Sequence, residues 1–149
     1  MAIAALEFHE ATRVMIPRYT HPEIGRIWGD QRKYDTWLRV EVAAAEAMAA
    51  IGLIPGEAAR ELAACDGVSA ERVEEIEQTT QHDVIAFTTA VAERVGPSAR
   101  WLHYGLTSSD VLDTALALQM QEACGLILDD VDELLTVIGE RAREYRDIP

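Results

Sequence analysis

The sequence predicts an all-α protein, and three observations carry that reading. Apolar residues recur at steps of three and four through most of the 149 residues, the period of a helix with one buried face. Strand signals are nearly absent. No β-branched run alternates with period two, and the chain contains no Asn, so an Asn-Gly hairpin turn cannot occur. Capping residues precede the apolar runs, and Gly or Pro follows them.

Taken in order, Thr20-His21-Pro22-Glu23 reads as a helix start, with Thr20 as cap, Pro22 in the first turn and Glu23 reaching back. Ile24, Ile27 and Trp28 form its short stripe. Asp30 is expected to cap a longer helix whose inner face is Tyr34, Trp37, Leu38, Val42, Ala45, Met48 and Ala49, ended by Gly52. Pro55 restarts a helix that runs to Cys65 and stops at Gly67. Ser69 caps the next, with Val68 and Val73 spaced as a hydrophobic staple, and Val73 and Ile76 facing inward. Gln78 to Gln81 is polar and weakly helical. From about Asp83 a further stripe of Val84, Phe87, Val91 and Val95 closes at Gly96-Pro97.

The last third differs. From about Asp110 to Arg146 no proline intervenes, and apolar residues recur at Leu112, Leu116, Met120, Ala123, Ile127, Val131, Leu134, Ile138, Ala142 and Tyr145. Leu116 to Tyr145 is 29 residues in eight steps, a mean near 3.6. At about 1.5 Å per residue such a helix spans roughly 55 Å, whereas a compact globule of this length is about 40 Å across. The helix is therefore expected to overhang its own domain. Gly125 and Gly139 are the places where it could bend. A stripe that overhangs needs a cover, and self-association is the economical one.

Composition excludes several functions. With 13 Lys+Arg against 26 Asp+Glu the net charge is −13 and the pI about 4.6, which repels phosphate backbones and anionic bilayers. Neither nucleic acid nor a membrane is an expected partner. No run of about 18 wholly apolar residues occurs. The opening MAIAALEFHEATRV lacks a basic n-region and reads as a short extension, residues 1–14, rather than a secretory signal. Cys65 and Cys124 have no metal-ligand spacing and are expected to be small buried apolar groups. A cytoplasmic location is expected.

Three short segments fit a plain helical domain poorly. His103-Tyr104-Gly105-Leu106-Thr107-Ser108-Ser109-Asp110 puts a glycine and three hydroxyls where the long helix begins. Free N–H groups and the positive end of the helix dipole suit a carboxylate or phosphate there. Thr107 through Asp110 is equally a capping box, and His103 alone is more often a loop residue than a catalytic one. Gln81-His82-Asp83 stands at another helix start, where Asp83 can cap and His82 can move a proton or bind an anion. A metal site from His82, Asp83 and His103 matches no ligand pattern. Arg18-Tyr19 offers a planar donor fork and a hydroxyl, although an exposed pair of this kind is usually only surface.

The combination is more specific. Met15-Ile16-Pro17-Arg18-Tyr19, Ile27-Trp28, His82-Asp83-Val84-Ile85-Ala86-Phe87 and His103 through Asp110 together closely resemble the amino-terminal part of the adenylosuccinate lyase family, a branch of the fumarase/aspartase superfamily. The resemblance covers Met15 to the end. It implies residues 15–109 as an N-terminal helical domain and 110–149 as the first long helix of a central bundle, cut short. It also implies elimination of fumarate from adenylosuccinate, giving AMP, and from the succinylated aminoimidazole carboxamide ribotide of purine synthesis, without metal or organic cofactor.

By matching motifs, Arg18 and Tyr19 would hold the phosphate side of the substrate, and Gln81, His82 and Asp83 would lie at the substrate. Thr107 and Ser108 would bind a succinyl carboxylate, with His103 nearby. Many relatives carry a basic residue where this chain has Gln81, so one phosphate contact is weaker or comes from elsewhere. The family's general-acid Thr-His segment and its general-base Gly-Ser-Ser loop are expected beyond Pro149. These 149 residues would then supply binding groups with His82 and His103 in supporting roles, and would be inactive alone. The family's sites are built from three subunits of a homotetramer. Two other classes compete: a non-catalytic helical interaction module, which leaves the two His motifs unexplained, and a different lyase of the superfamily, such as a carboxymuconate cycloisomerase or argininosuccinate lyase relative.

Overall fold

A computed structural model describes residues 16–149. The expected 1–14 extension, and Met15 of the first motif, lie outside the described residues. Within them the chain forms a 3-10 turn at Pro17–Tyr19, then α1 (Pro22–Ile27), α2 (Asp30–Ala50), α3 (Gly56–Ala63), α4 (Ala70–Thr80) and α5 (Asp83–Val95). A second 3-10 turn, Gly96–Trp101, and the 37-residue α6 (Ser108–Glu144) complete it. No strand occurs among the described residues.

The hub is α2, which touches α1, α3, α4 and α6, while α4 and α5 pair as a hairpin. Its buried residues Tyr34, Trp37, Leu38 and Ala45 lie along one face at helical spacing, as the sequence predicts. Tyr34, Trp37 and Phe87 of α5 form an aromatic centre: Trp37 meets both other rings edge-on at 5.3 and 5.5 Å, and Tyr34 stacks on Phe87 at 6.1 Å. Val73 and Ile76 of α4 and Val84 and Val91 of α5 close this core. Ser69 caps α4 by accepting the Arg72 N–H at 3.2 Å, and the staple residues Val68 and Val73 are both buried.

Several caps differ from expectation. His21, not Thr20, precedes α1, and the Thr20 hydroxyl instead donates to the Ile16 carbonyl at 2.9 Å. Gly29 is the residue before α2, so Asp30 falls inside the first turn and pairs with Lys33 at 2.8 Å. An acidic residue there still complements the helix dipole. The helix after Pro55 ends at Ala63, with Cys65 beyond it. Gly52 sits just past α2 at φ +75°, the left-handed conformation expected of it.

The long helix starts two residues earlier than expected and runs without a break through Gly125 and Gly139. Its docked face keeps Leu112 and Ala123 of the expected stripe but otherwise differs from it. Val111, Ala115, Gln119 and Ala123, spaced by four, are buried, whereas Leu116, Met120, Ile127, Val131, Leu134 and Ile138 are exposed. The docked series carries the small Ala115 and Ala123 where α6 packs on α1 and α2. Two polar ties fix this contact. The buried Gln119 amide donates to the Ile27 carbonyl at 2.6 Å, and the Arg32 guanidinium reaches Glu122 Oε2 at 2.6 and 3.1 Å.

Beyond Leu126 every α6 residue except Gly139 is exposed, so the overhang is real. Cys65 is half-buried and Cys124 exposed, against the expectation that both are buried. One 18-residue window of α6 reaches a mean hydropathy of 1.2 with no more than two charges, long and apolar enough to cross a bilayer by composition. That hydropathy comes from its two apolar faces, one docked and one open, rather than from an uninterrupted apolar run. Gln119, Gln121 and Glu122 interrupt it, and two of these three are engaged in the protein contacts above.

Candidate functional site

The loop that leads into α6 is held from both sides. Leu102 is buried, and Trp101 and Tyr104 meet edge-on at 5.2 Å. His103 and Gly105 both take left-handed backbone angles, φ +57° and +73°, on either side of Tyr104, in a turn closed by the Leu106 N–H on the His103 carbonyl at 3.3 Å. Glycine does this freely, but at a histidine the conformation is unfavourable and needs support. That support is Glu41 of α2. Its Oε2 accepts the His103 backbone N–H at 2.8 Å, and its Oε1 lies 2.6 Å from His103 Nδ1.

From there the chain extends through Thr107 into α6. The Asp110 carboxylate accepts the Thr107 N–H at 2.8 Å, one arm of a capping box. A helix cap and a row of surface hydroxyls are thus superposed here. The box orients the first turn, while the N–H groups and hydroxyls around Ser108 remain at the surface: Thr107 and Ser109 are exposed and Ser108 is half-buried. These groups are not sealed inside packed side chains. They form an open platform rather than a closed cavity.

The second segment is the α4–α5 junction. Gln81 ends α4 in a left-handed conformation, φ +51°, and its amide donates to the Gln78 carbonyl at 2.8 Å. The cap of α5 is His82, not Asp83: His82 Nδ1 accepts the Ile85 N–H at a long 3.4 Å. Asp83 enters the first turn and accepts the Val84 N–H at 2.7 Å. Its carboxylate also lies 3.4 Å from His82 Nδ1. A nitrogen aimed at a backbone N–H serves as acceptor, which leaves Nε2 of the exposed His82 as its outward donor.

Arg18 and Tyr19 occupy the first 3-10 turn, both exposed, with the guanidinium 4.8 Å from the Tyr19 ring centre. No hydrogen bond or ion pair joins the three segments to one another among the described residues. Each is instead a separate, preorganised surface of donors. The described residues contain no group of three or more His, Cys, Asp or Glu able to hold a metal.

The buried residue beside these motifs that sequence reasoning missed is Glu41. It was legible as an anomaly: positions 34, 37, 38, 41 and 45 share one helix face, and a glutamate interrupts an otherwise apolar series. Its partner, 62 residues away, was not legible.

Residues 17–149 match a family described as lyase. The chain belongs to this lyase family. Over 132 residues, 89% of the chain, it is 51% identical to the adenylosuccinate lyase of Synechocystis and 42% identical to that of Bacillus subtilis. The lyase-family chain spans about 31% of the length of these curated relatives. Among solved structures it is similar to a fumarate lyase from Mesorhizobium, with TM-score 0.76 and 24% identity over 83% of this chain and 30% of the other, a likeness of fold. It is also similar to a 3-carboxy-cis,cis-muconate lactonizing enzyme from Pseudomonas putida, with TM-score 0.74 and 30% identity over 85% and 30% of the two chains. These likenesses confirm the all-α lyase architecture read from the sequence.

Proposed function

We propose that this chain is the substrate-gripping, amino-terminal part of an adenylosuccinate lyase, which eliminates fumarate from adenylosuccinate and from the succinylated ribotide. The observation that carries the proposal is the Thr107–Ser108 platform: one exposed and one half-buried hydroxyl residue at the positive end of a 37-residue helix, after a loop pinned by Glu41. The identity to adenylosuccinate lyases supports the choice within the superfamily.

In such an elimination a base takes a proton from the succinyl Cβ, negative charge builds on the adjacent carboxylate, and an acid protonates the departing nitrogen. Donors already fixed where the charge develops stabilise it without reorganising at the moment of reaction. Thr107 and Ser108 are assigned that carboxylate. Arg18 and Tyr19 are assigned the phosphate, with Gln81, His82, Asp83 and His103 bordering the substrate. Residues 15–109 form the amino-terminal domain, and 110–149 the first helix of a shared bundle in a cytoplasmic homotetramer that uses no cofactor. The net charge of −13 makes local cations essential for an anionic substrate, and further subunits are their proposed source.

Soaking crystals with AMP or fumarate tests the assignment. AMP is expected at Arg18 and Tyr19, and fumarate at Thr107 and Ser108. Crystals that bind neither ligand would favour a non-catalytic interaction module. Self-association has its own test. Leu116, Met120, Ile127, Leu128, Leu134 and Ile138 are each close to half exposed or more, an open apolar face of the kind that marks an interface. Light scattering at tens of micromolar, on the order of usual working concentrations for weak assemblies, is expected to give a dimer or larger species. A monomer would count against the shared bundle.

A further inference from the structure

Among the described residues Glu41 is the one buried acidic side chain, 1% exposed, and the elimination as drawn above gives it no part. Both of its oxygens are committed to a single residue, His103, whose side chain is one-quarter exposed. A backbone N–H can only donate, so Oε2 is an acceptor. An ionised carboxylate is an acceptor at its other oxygen too, so the proton in the 2.6 Å contact belongs to Nδ1. The ring then has one nitrogen left to offer. The second grip, on the backbone N–H, holds His103 in its left-handed conformation, so rotation of the ring and rotation of the loop are restrained by the same carboxylate.

We infer that Glu41 is a positioning residue: it keeps the His103 proton on Nδ1 and leaves Nε2 as the ring atom at the mouth of α6, an acceptor in the neutral ring and a donor to an anion once the ring takes up a second proton. The inference rests on the proposed lyase reading for the identity of that anion, bound beside Thr107. The assignment of the nitrogens does not depend on it.

The test is a long-range proton–nitrogen NMR spectrum of the ¹⁵N-labelled chain, which has only four histidines. It is recorded well above the ordinary histidine pKa of about 6.5, where the neutral ring shows its tautomer. His103 is expected to carry its proton on Nδ1. Glu41→Gln should invert this. The amide oxygen must stay on the backbone N–H, so the amide NH₂ faces Nδ1, which becomes an acceptor, and the proton moves to Nε2. A wild-type ring protonated at Nε2 overturns the inference, as does a folded Glu41→Gln chain that retains the wild-type pattern. If that variant does not fold, the wild-type spectrum decides alone. Excess fumarate is then added below about pH 6.5, where a doubly protonated ring can donate from Nε2. Shifts at Thr107 without any at His103 overturn the role assigned to Nε2. The expected tautomer with no shift at either residue supports the positioning role and counts against the lyase reading instead.

Discussion

Replacing Thr107 and Ser108 together by alanine is expected to lower kcat/KM a hundredfold or more in a complete enzyme carrying this segment. The figure corresponds to about 3 kcal/mol, the usual loss when donors aimed at a developing oxyanion are removed. The loss should fall on kcat as well as KM, because the carboxylate gains charge between ground and transition states. Capping offers a competing account, since the same residues begin α6 and Asp110 closes on the Thr107 N–H. Asp110→Ala separates the two. It opens the cap, at a typical cost of about 1 kcal/mol in stability, but spares both hydroxyls. A double alanine variant that loses only tenfold, with a fall in Tm matching that of Asp110→Ala, would make capping the whole role.

His103→Ala is expected to destabilise the fold by about 3 kcal/mol, because it takes one hydrogen-bond partner from the buried Glu41 carboxylate. Glu41 would keep a single partner, the backbone N–H, at a site where it is 1% exposed. Against a total stability of roughly 5–15 kcal/mol for an ordinary domain, that is a large fraction. Urea unfolding followed by circular dichroism measures it, at one fixed protein concentration because self-association adds to apparent stability. Adding Glu41→Gln to His103→Ala should recover part of the loss, since a neutral amide costs less to leave half-satisfied than a charge. A loss below about 1 kcal/mol in the single variant would mean that water reaches the carboxylate.

The helices were legible because their signals are local. Capping by Ser69, the break at Gly52 and the Tyr34–Trp37–Leu38 face depend on neighbours within a turn or two. Which face of α6 docks was not legible. Val111, Ala115, Gln119 and Ala123 form a smaller and more polar series than the Leu and Ile residues beside them, and hydrophobicity alone chooses the wrong one. The docked series is the one that carries the small Ala115 and Ala123, and the larger residues are left exposed. The site divided in the same way. His82, His103, Thr107 and Ser108 stood out as motifs, but the exchange of capping roles between His82 and Asp83 is a matter of one residue in register. The hold of Glu41 on His103 is a long-range contact, which no periodicity encodes.

The amide of Gln119 and the carboxylate of Glu122 act as notches along the docked part of α6. A purely greasy seam would let the rod slide or roll by a turn at little penalty. Here any such slip would strand the buried amide, so its axial position is indexed to Ile27 and Arg32. The Thr107–Ser108 turn at one end and the bare far turns at the other therefore move as a single stiff lever. On the proposed lyase reading, a partner clasping those far turns would set the height and bearing of Thr107, and assembly would become a means of aiming the substrate's donors.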